Sequence, residues 1–313
     1  MVKYQNLYYE DKTFEKCIGI FSEAETIELH PNTKSFAVPQ FQMKNLKEII
    51  CNENLELIDT LFEETQIKTL DLRNTKVKKI LSYTFKNSKI NTIYLPKEFE
   101  YIGNDAFYNC ENLIDINLED TNVRIIGSSA FAECFKLSNI LFPETVELIR
   151  NGAFEECAVE RVNLSKTKIK ELGFDVFAKC EHIEEVVLPE GLKSVDAYAF
   201  AESSIRCIKL PESIQKLNGK AFYKCKNLYS INIPDSLTIE NLFNIKYLEY
   251  INDFKKIYCS EKIANLLKKF IGKDIEIVVD NSLDALLDTG KTFKQINDFY
   301  KNKGIKNDET RSL

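Results

Sequence analysis

The sequence predicts an α/β solenoid of about nine coils of roughly 23 residues, with one strand per coil forming a parallel β-sheet on one face and a cap at either end. Three observations predict it. Phenylalanine recurs at Phe41, Phe62, Phe85, Phe107, Phe131, Phe154, Phe177, Phe200, Phe222 and Phe243, with gaps of 21 to 24 residues. Aliphatic residues keep register with that column. Five residues before each Phe stand Leu57, Ile80, Ile102, Ile126, Ile149, Leu172, Val195 and Leu217; eight or nine after it stand Ile49, Leu70, Ile93, Ile116, Ile140, Val162, Val186, Ile208 and Ile231. Finally, five of the seven prolines, Pro96, Pro143, Pro189, Pro211 and Pro234, fall three residues past that later aliphatic, where they mark a corner at a strand end.

Residues 1–40 hold Phe14, Ile18, Ile20, Phe21 and the strand-like Thr26-Ile27-Glu28-Leu29, and are expected to form an atypical first coil with a leading helix that caps the stack. Residues 41–255 are the repeats. Each begins with a short strand such as Ile90 to Leu95 or Leu113 to Leu118, whose alternation buries one face and turns Asp115 and Asn117 outward. A corner follows, then a second extended piece ending in an aliphatic–Gly pair (Ile102-Gly103, Ile126-Gly127), then a short helical turn carrying Ala-Phe. No coil can bury both apolar edges alone, so stacking must supply the core. At ~4.8 Å per strand the ribbon is about 40–45 Å long. Residues 256–280 predict a β-α-β cap: a strand at Lys256 to Cys259, an amphipathic helix from Ser260 as N-cap to Ile271, and a strand at Asp274 to Val279. Ile263, Leu266, Leu267 and Phe270 give that helix one apolar face. Residues 281–313 are expected to be a helical extension, around Leu283 to Leu287 and Phe293 to Tyr300, with a polar tail.

Composition narrows the function. With 44% hydrophobic and 29% charged residues, most of the chain is expected to fold around a core. Lys and Arg number 42 against 48 acidic residues, a net charge of −6, so the field that nucleic-acid binding needs is absent and no nucleic-acid partner is expected. No run approaches the ~18 apolar residues of a membrane span, and the opening MVKYQNLYYE lacks a secretory pattern. The expectations are no membrane insertion and a cytoplasmic location.

Candidate chemistry is sparse. Cys110, Cys134, Cys157, Cys180 and Cys225 lie three residues after the repeat Phe, with Ser203 in the sixth place, a column that reads as small buried side chains rather than disulfides. Neither CxxC nor HxxxH occurs, so no metal site is expected. His30 and His182 have no nucleophile in a catalytic context, and the acidic residues form no pair with assignable acid and base roles. ALLDTGKT, Ala285 to Thr292, matches a phosphate loop except for its first glycine, and a predicted helix stands where a strand should lead in. The sequon Asn163-Leu164-Ser165 sits inside a predicted strand. No cofactor and no enzymatic activity are expected.

The run from Ile126-Gly127 through Ala130-Phe131, Cys134, Leu137 and Ile140 to Pro143 resembles the BspA-like class of leucine-rich repeats, of the form IG-x-x-AF-x-x-C-x-x-L-x-x-I-x-(L/I)-P. The pattern recurs at Ile102 to Leu118 without the proline, at Leu172 to Pro189 with Val176 for Ala, and at Leu217 to Pro234 with Asn218 for Gly. The resemblance covers about residues 40–245. It implies a leucine-rich-repeat ribbon used as a curved interaction scaffold, in some members a surface adhesin and in many protist members intracellular. The Lys-, Asn-, Glu- and Ile-rich composition is similar to the intracellular kind. The family brings no catalytic residues.

The outward strand positions carry the functional expectation. Asp71, Tyr94, Asp115, Asn117, Leu141, Arg161, Asn163, Glu185, Val187 and Lys209 set apolar and aromatic anchors among charges, as protein interfaces do, and are the predicted partner-binding residues. By analogy with other intracellular leucine-rich-repeat proteins, the partner class is the catalytic subunit of a serine/threonine protein phosphatase, regulated or targeted by this chain. No docking peptide supports it: Arg161-Val162-Asn163-Leu164 lies within a strand and ends in Leu. The alternative is a cell-surface adhesin exported by an unconventional route. Self-pairing of two ribbons into a homo-oligomer, and binding through the C-terminal helices instead, stay open.

Overall fold

The computed structural model describes residues 1–237, 245–251, 254–269 and 271–279. Its stack has about 11 turns, more than the nine expected, because the caps continue the coiling at both ends. Two parallel ribbons run along it. The outer ribbon pairs Thr26–Glu28 with Glu48–Ile50; Thr69–Asp71, Thr92–Tyr94 and Asp115–Ile116 with one another; Arg161–Asn163 with Glu185–Val187; and then Cys207–Ile208, Ser230–Ile233, Lys256–Cys259 and Glu276–Val278. The second ribbon joins Lys79–Ile80, Tyr101–Ile102, Ile125–Ile126 and Leu148–Ile149, and farther on Glu171–Leu172, Ser194–Val195 and Lys216–Leu217. Every later aliphatic from Ile49 to Ile231 is buried between them.

Each proline corner is a hydrogen-bonded turn. The carbonyls of Pro96, Pro143, Pro189, Pro211 and Pro234 accept from the N–H groups of Phe99, Val146, Leu192, Ile214 and Leu237 at 3.0–3.2 Å. Coils without proline close the same turn with threonine. Thr75, Thr121 and Thr167 donate both N–H and Oγ1 to the carbonyls of Leu72, Leu118 and Leu164, locking the corner through a side chain instead of a ring.

The phenylalanine segment is not the helical turn that was expected. Residues two before and two after the Phe take left-handed backbone: Tyr83 and Asn87, Asp105 and Asn109, Ser129 and Glu133, Asp175 and Lys179, Tyr198 and Glu202, with φ from 51° to 66°. The alternation aims successive odd N–H groups forward. Tyr83, Phe85 and Asn87 donate to the carbonyls of Asn104, Ala106 and Tyr108 in the next coil at 3.1, 2.8 and 2.9 Å. A lone helical turn would leave those donors unsatisfied, whereas the stack offers a column of carbonyls. Here N–H groups point to the following coil; in the second ribbon they point back, as Gly103 N–H does to Ile80 and Gly127 N–H to Ile102, both at 2.9 Å.

Phe62, Phe85, Phe107, Phe131, Phe154, Phe177, Phe200 and Phe222 form one continuous ring stack, centroids 4.7–5.8 Å apart and planes within 16° of parallel. Phe41 does not join it. That side chain is 67% exposed on the 3₁₀ turn Gln40–Gln42, and buried Phe36 heads the column, 6.5 Å from Phe62. The same slip at this end leaves Leu57 half-buried and puts Ile58 in the core. Phe243 lies outside the described residues.

The cysteine column is a second ladder. Cys110, Cys134, Cys157, Cys180 and Cys225 each donate Sγ–H to the carbonyl of the Phe one coil back, at 2.9–3.2 Å. Ser203 occupies the missing rung and meets Cys225 Sγ at 3.3 Å. Burial pushes the Cys110 and Cys225 thiols up to about 11 and Cys157 and Cys180 well above the ordinary range. A raised folded pKa makes the thiol contribution fully present below the unfolded value of ~8.5 and loses it as pH climbs toward the folded one, at about 1.4 kcal/mol per pH unit for each thiol. Urea midpoints are therefore expected to hold between pH 7 and 8 and fall steeply above about pH 9, and to fall less steeply in a Cys110→Ser, Cys225→Ser variant. Equal slopes for variant and wild type would contradict the account.

At the N-terminus the expected leading helix is absent. Val2–Tyr4, Leu7–Tyr9 and Lys16–Ile20 form an antiparallel meander, and Lys16 and Cys17 pair in parallel with Ser35 and Phe36. Leu7, Tyr9 and Cys17 close the apolar end; the buried Tyr9 hydroxyl lies 2.9 Å from Thr33 Oγ1 and accepts from His30 N–H at 3.0 Å. Alternation at Ile18 and Ile20 follows period 2, not 3.6, which is why a strand forms. At the other end, the helix Glu261–Leu267 is shorter than expected, with Ser260 Oγ capping Ile263 N–H at 3.3 Å and Ile263, Ala264 and Leu267 facing the core. The expected segments of 281–313, ALLDTGKT included, lie outside the described residues. Among the described residues no helix is long and apolar enough to cross a membrane.

Candidate partner-binding face

Outward side chains of the outer ribbon form two rows, set by strand register. Thr69, Thr92 and Asp115 align in one row, and Asp71 and Tyr94 in the next; farther along, Arg161 aligns with Glu185 and Asn163 with Val187. Between these blocks the coil containing Asn139 and Leu141 makes no strand pairing, so the ladder is interrupted beneath Leu141, which stands 47% exposed. The ten predicted residues thus fall into groups with different roles.

Asp71 and Tyr94 are joined by a residue that outward-row counting missed. Arg73 Nη2 donates to Asp71 Oδ2 at 2.6 Å and Nε to Oδ1 at 3.0 Å, while the guanidinium carbon sits 4.6 Å from the Tyr94 ring centroid. The Arg73 hydrogen bonds hold the Asp71 carboxyl below the usual carboxylate range. Fork geometry and ring stacking together pre-orient a planar cation on the face. The signal was in the sequence: Arg73 follows Asp71 by two residues, and period 2 returns it to the same side.

Asn117 is tied to the backbone of the preceding coil. It lies on an outward position but is half-buried, and its amide accepts from Leu95 N–H at 2.7 Å and donates to the Leu95 carbonyl at 3.2 Å. Asparagine carries both a donor and an acceptor, so it can seal the one backbone pair that the strand end leaves open one coil back. It is committed to the scaffold. Asn163 is exposed but also locally engaged, with Oδ1 accepting from Ser165 N–H at 3.1 Å and from Ser165 Oγ at 2.7 Å.

The remaining positions are available in different degrees. Asp115 and Arg161 are exposed; Arg161 Nε lies 3.5 Å from Glu185 Oε2, and Val187 is half-buried beside them. Lys209 is half-buried and already has an interaction partner. Cys207, Ser230 and Asn232 are outward by parity yet buried.

A different edge carries aromatic residues that repeat analysis passed over. On the phenylalanine turns Phe174, Tyr198 and Tyr223 meet edge to face at 5.4 and 5.6 Å, with Lys220 and Lys224 over the tyrosine rings. Nearby, Lys179 Nζ bridges Glu155 and Glu156 at 2.9 and 2.6 Å, and His182 is exposed. Tyr108 donates its hydroxyl proton to Glu133, which pushes that phenol up to about 12. His30 stacks on Phe14 at 4.3 Å. These contacts are lateral ties between coils.

Stacked coils with two parallel ribbons, a ring column and corner turns at a fixed repeat position define a leucine-rich-repeat solenoid. The chain belongs to the BspA type leucine rich repeat family, whose family model matches residues 5–76, 59–175 and 147–263 in six copies, a wider span than the 40–245 read from the motifs. The fold is similar to solved leucine-rich-repeat structures. One is a leucine-rich repeat protein from Bacteroides ovatus (17% identity, covering 83% of this chain and 87% of that one, TM-score 0.37). Another is a leucine rich cell surface protein from Faecalibacterium prausnitzii (16% identity, 85% and 97% covered, TM-score 0.43). A third is the T. pallidum leucine rich repeat protein (20% identity, 64% and 90% covered, TM-score 0.38). Comparison with curated protein sequences gives no significant match.

Proposed function

We propose that this chain is a non-catalytic scaffold that binds a protein partner on the open part of its outer strand face, from Thr69 to Val187. The observation that supports the reading is the company of Tyr94, Leu141 and Val187: apolar anchors on one face, with Arg73 laid over Tyr94 and Arg161 paired across a strand to Glu185. Apolar side chains supply the burial and oriented charges reject mismatched partners. By analogy alone, the partner class is a serine/threonine phosphatase catalytic subunit and the location cytosolic.

A tagged pull-down from cytosolic extract, read by mass spectrometry, tests this beside a variant carrying Tyr94→Ala, Leu141→Asp and Arg161→Glu. All three side chains are off the core, so the variant is expected to keep its circular dichroism and lose the partner by at least tenfold, about 1.4 kcal/mol or more. Equal retention by both proteins would remove the strand face as the site. A phosphatase among the lost proteins would support the analogy. Cleavage of the chain by protease added to intact cells would overturn the cytosolic location in favour of the adhesin.

A further inference from the structure

We infer that two copies of this chain pair antiparallel through the second ribbon, with a two-fold axis along the strand direction between the coils of Tyr101 and Ile125. That ribbon lies on a different face from the partner proposal, and the inference does not depend on it. The backbone explains why its outward surface is well stocked. Two successive N–H groups share one carbonyl of the coil before: Glu100 and Tyr101 donate to Lys78 at 2.8 and 3.2 Å, and Glu147 and Leu148 to Arg124 at 2.9 and 3.1 Å. A bulge of this kind leaves two consecutive side chains out of the core, just ahead of buried Ile102 and Ile149. The surface therefore carries two rows. Lys79, Tyr101, Ile125 and Leu148 align by strand register, the last three half-buried. One residue earlier in each coil stand Lys78, Glu100, Arg124 and Glu147, the first three exposed and Glu147 half-buried.

The charge row alternates, and the alternation selects the occupant. Within one copy Lys78 Nζ lies 3.3 Å from Glu100 Oε1, and Arg124 Nη2 lies 2.9 Å from Glu147 Oε2. A half-turn about the strand direction sets a second copy face to face with the first, keeps each row on its own row and reverses the order of the coils. With the axis between the coils of Glu100 and Arg124, Glu100 meets Arg124 of the second copy and Lys78 meets its Glu147, and symmetry makes each contact twice. The alternation continues one coil farther each way at Glu56 and Lys170, which precede the strands Leu57–Ile58 and Glu171–Leu172 and face each other in the same arrangement. An axis through a coil would instead set Arg124 on Arg124 and Glu100 on Glu147. Copies running the same way, charge row on charge row, would set every charge on its own kind, so like-charge repulsion rejects both alternatives. In the favoured register Tyr101 packs on Ile125 of the second copy at the centre, and Leu148 lies along the aliphatic stem of Lys79. From Glu56 to Lys170 the strip is roughly 24 Å long at ~4.8 Å per coil, small for a specific interface, so association is expected in the micromolar range.

Sedimentation equilibrium of the full chain, up to about 200 μM, reads the pairing. The wild type is expected to dimerise, and Glu100→Arg and Arg124→Glu each to weaken the dimer at least tenfold, because each sets like charges across the axis twice. Both side chains are exposed, so circular dichroism is expected to stay unchanged. Mixing the two variants is expected to restore the dimer, since the substituted position of one then faces the substituted position of the other with opposite charge, and the remaining pair is native. A wild type that stays monomeric throughout would overturn the inference. Dimerisation of either variant as tight as wild type would overturn it too, as would a mixture that pairs no better than the variants alone.

Discussion

Replacing Phe131 by alanine is expected to lower stability by about 3–5 kcal/mol, and replacing Phe41 by less than ~0.5 kcal/mol. Both residues belong to the regular spacing of phenylalanines, so sequence alone ranks them together. In the fold Phe131 stacks on Phe107 at 5.1 Å and on Phe154 at 5.2 Å, and its backbone N–H donates to Ala153 while its carbonyl accepts from Cys157 Sγ, both in the following coil. Truncation leaves a cavity between two rings that the flanking coils hold apart, so collapse cannot fill it. Phe41 is exposed and touches no ring of the column. Urea unfolding followed by circular dichroism reads both. Similar midpoints for the two variants would contradict the ring ladder as the organising contact of the core.

Gly127→Ala is expected to cost about 3 kcal/mol, and Gly191→Ala close to nothing. A methyl at Gly127 would stand 2.5 Å from the Gly103 carbonyl carbon and 2.6 Å from the Asn104 nitrogen, and one at Gly103 would stand 2.4 Å from the Ser82 nitrogen. These are backbone atoms of the preceding coil, and moving them means opening the spacing on which both ribbons and the ring column depend. At Gly191 the nearest atom is Lys170 Nζ at 2.4 Å, the free end of a flexible side chain that swings aside. The reduced freedom of the unfolded chain then offsets what little is lost. A thermal scan of the two variants decides: a Gly127→Ala protein as stable as wild type would show that the coils can separate without penalty.

Repetition made much of this fold legible. A side chain buried between identical neighbours meets the same demand in every coil, so Phe62 to Phe222, the five column cysteines and the corner prolines appear as columns. The end of the repeat did not behave so. Phe41 sits 21 residues before Phe62 by spacing alone, while the coil that packs there is headed by Phe36, where the antiparallel N-terminal meander changes the path of the chain. Backbone geometry was hidden for another reason. The left-handed positions carry Tyr83, Asp105, Ser129, Asp175 and Tyr198, with no common residue type, because carbonyls of the next coil, not side chains, dictate them.

On the candidate face, parity named outward positions but could not say what each side chain does there. Asn117 turns back to the Leu95 backbone, Asp71 is taken up by Arg73, and Cys207 is buried, which leaves Tyr94 with its Arg73, Asp115, Leu141, Arg161 with Glu185, and Val187. Exposure depends on which distant residues arrive at a position, and a period-2 pattern carries no record of that.

The central claim is that the middle of the outer strand face is where a partner sits. Hydroxyl-radical footprinting of the chain, free and bound to the partner recovered by pull-down, tests it most directly because the readout is the side chains themselves. The account predicts protection of Tyr94 and Leu141, with Phe174 and Tyr223 on the turn edge oxidised as before. Protection of Phe174 and Tyr223 with Tyr94 and Leu141 unchanged would contradict it and move the interface to the phenylalanine-turn edge.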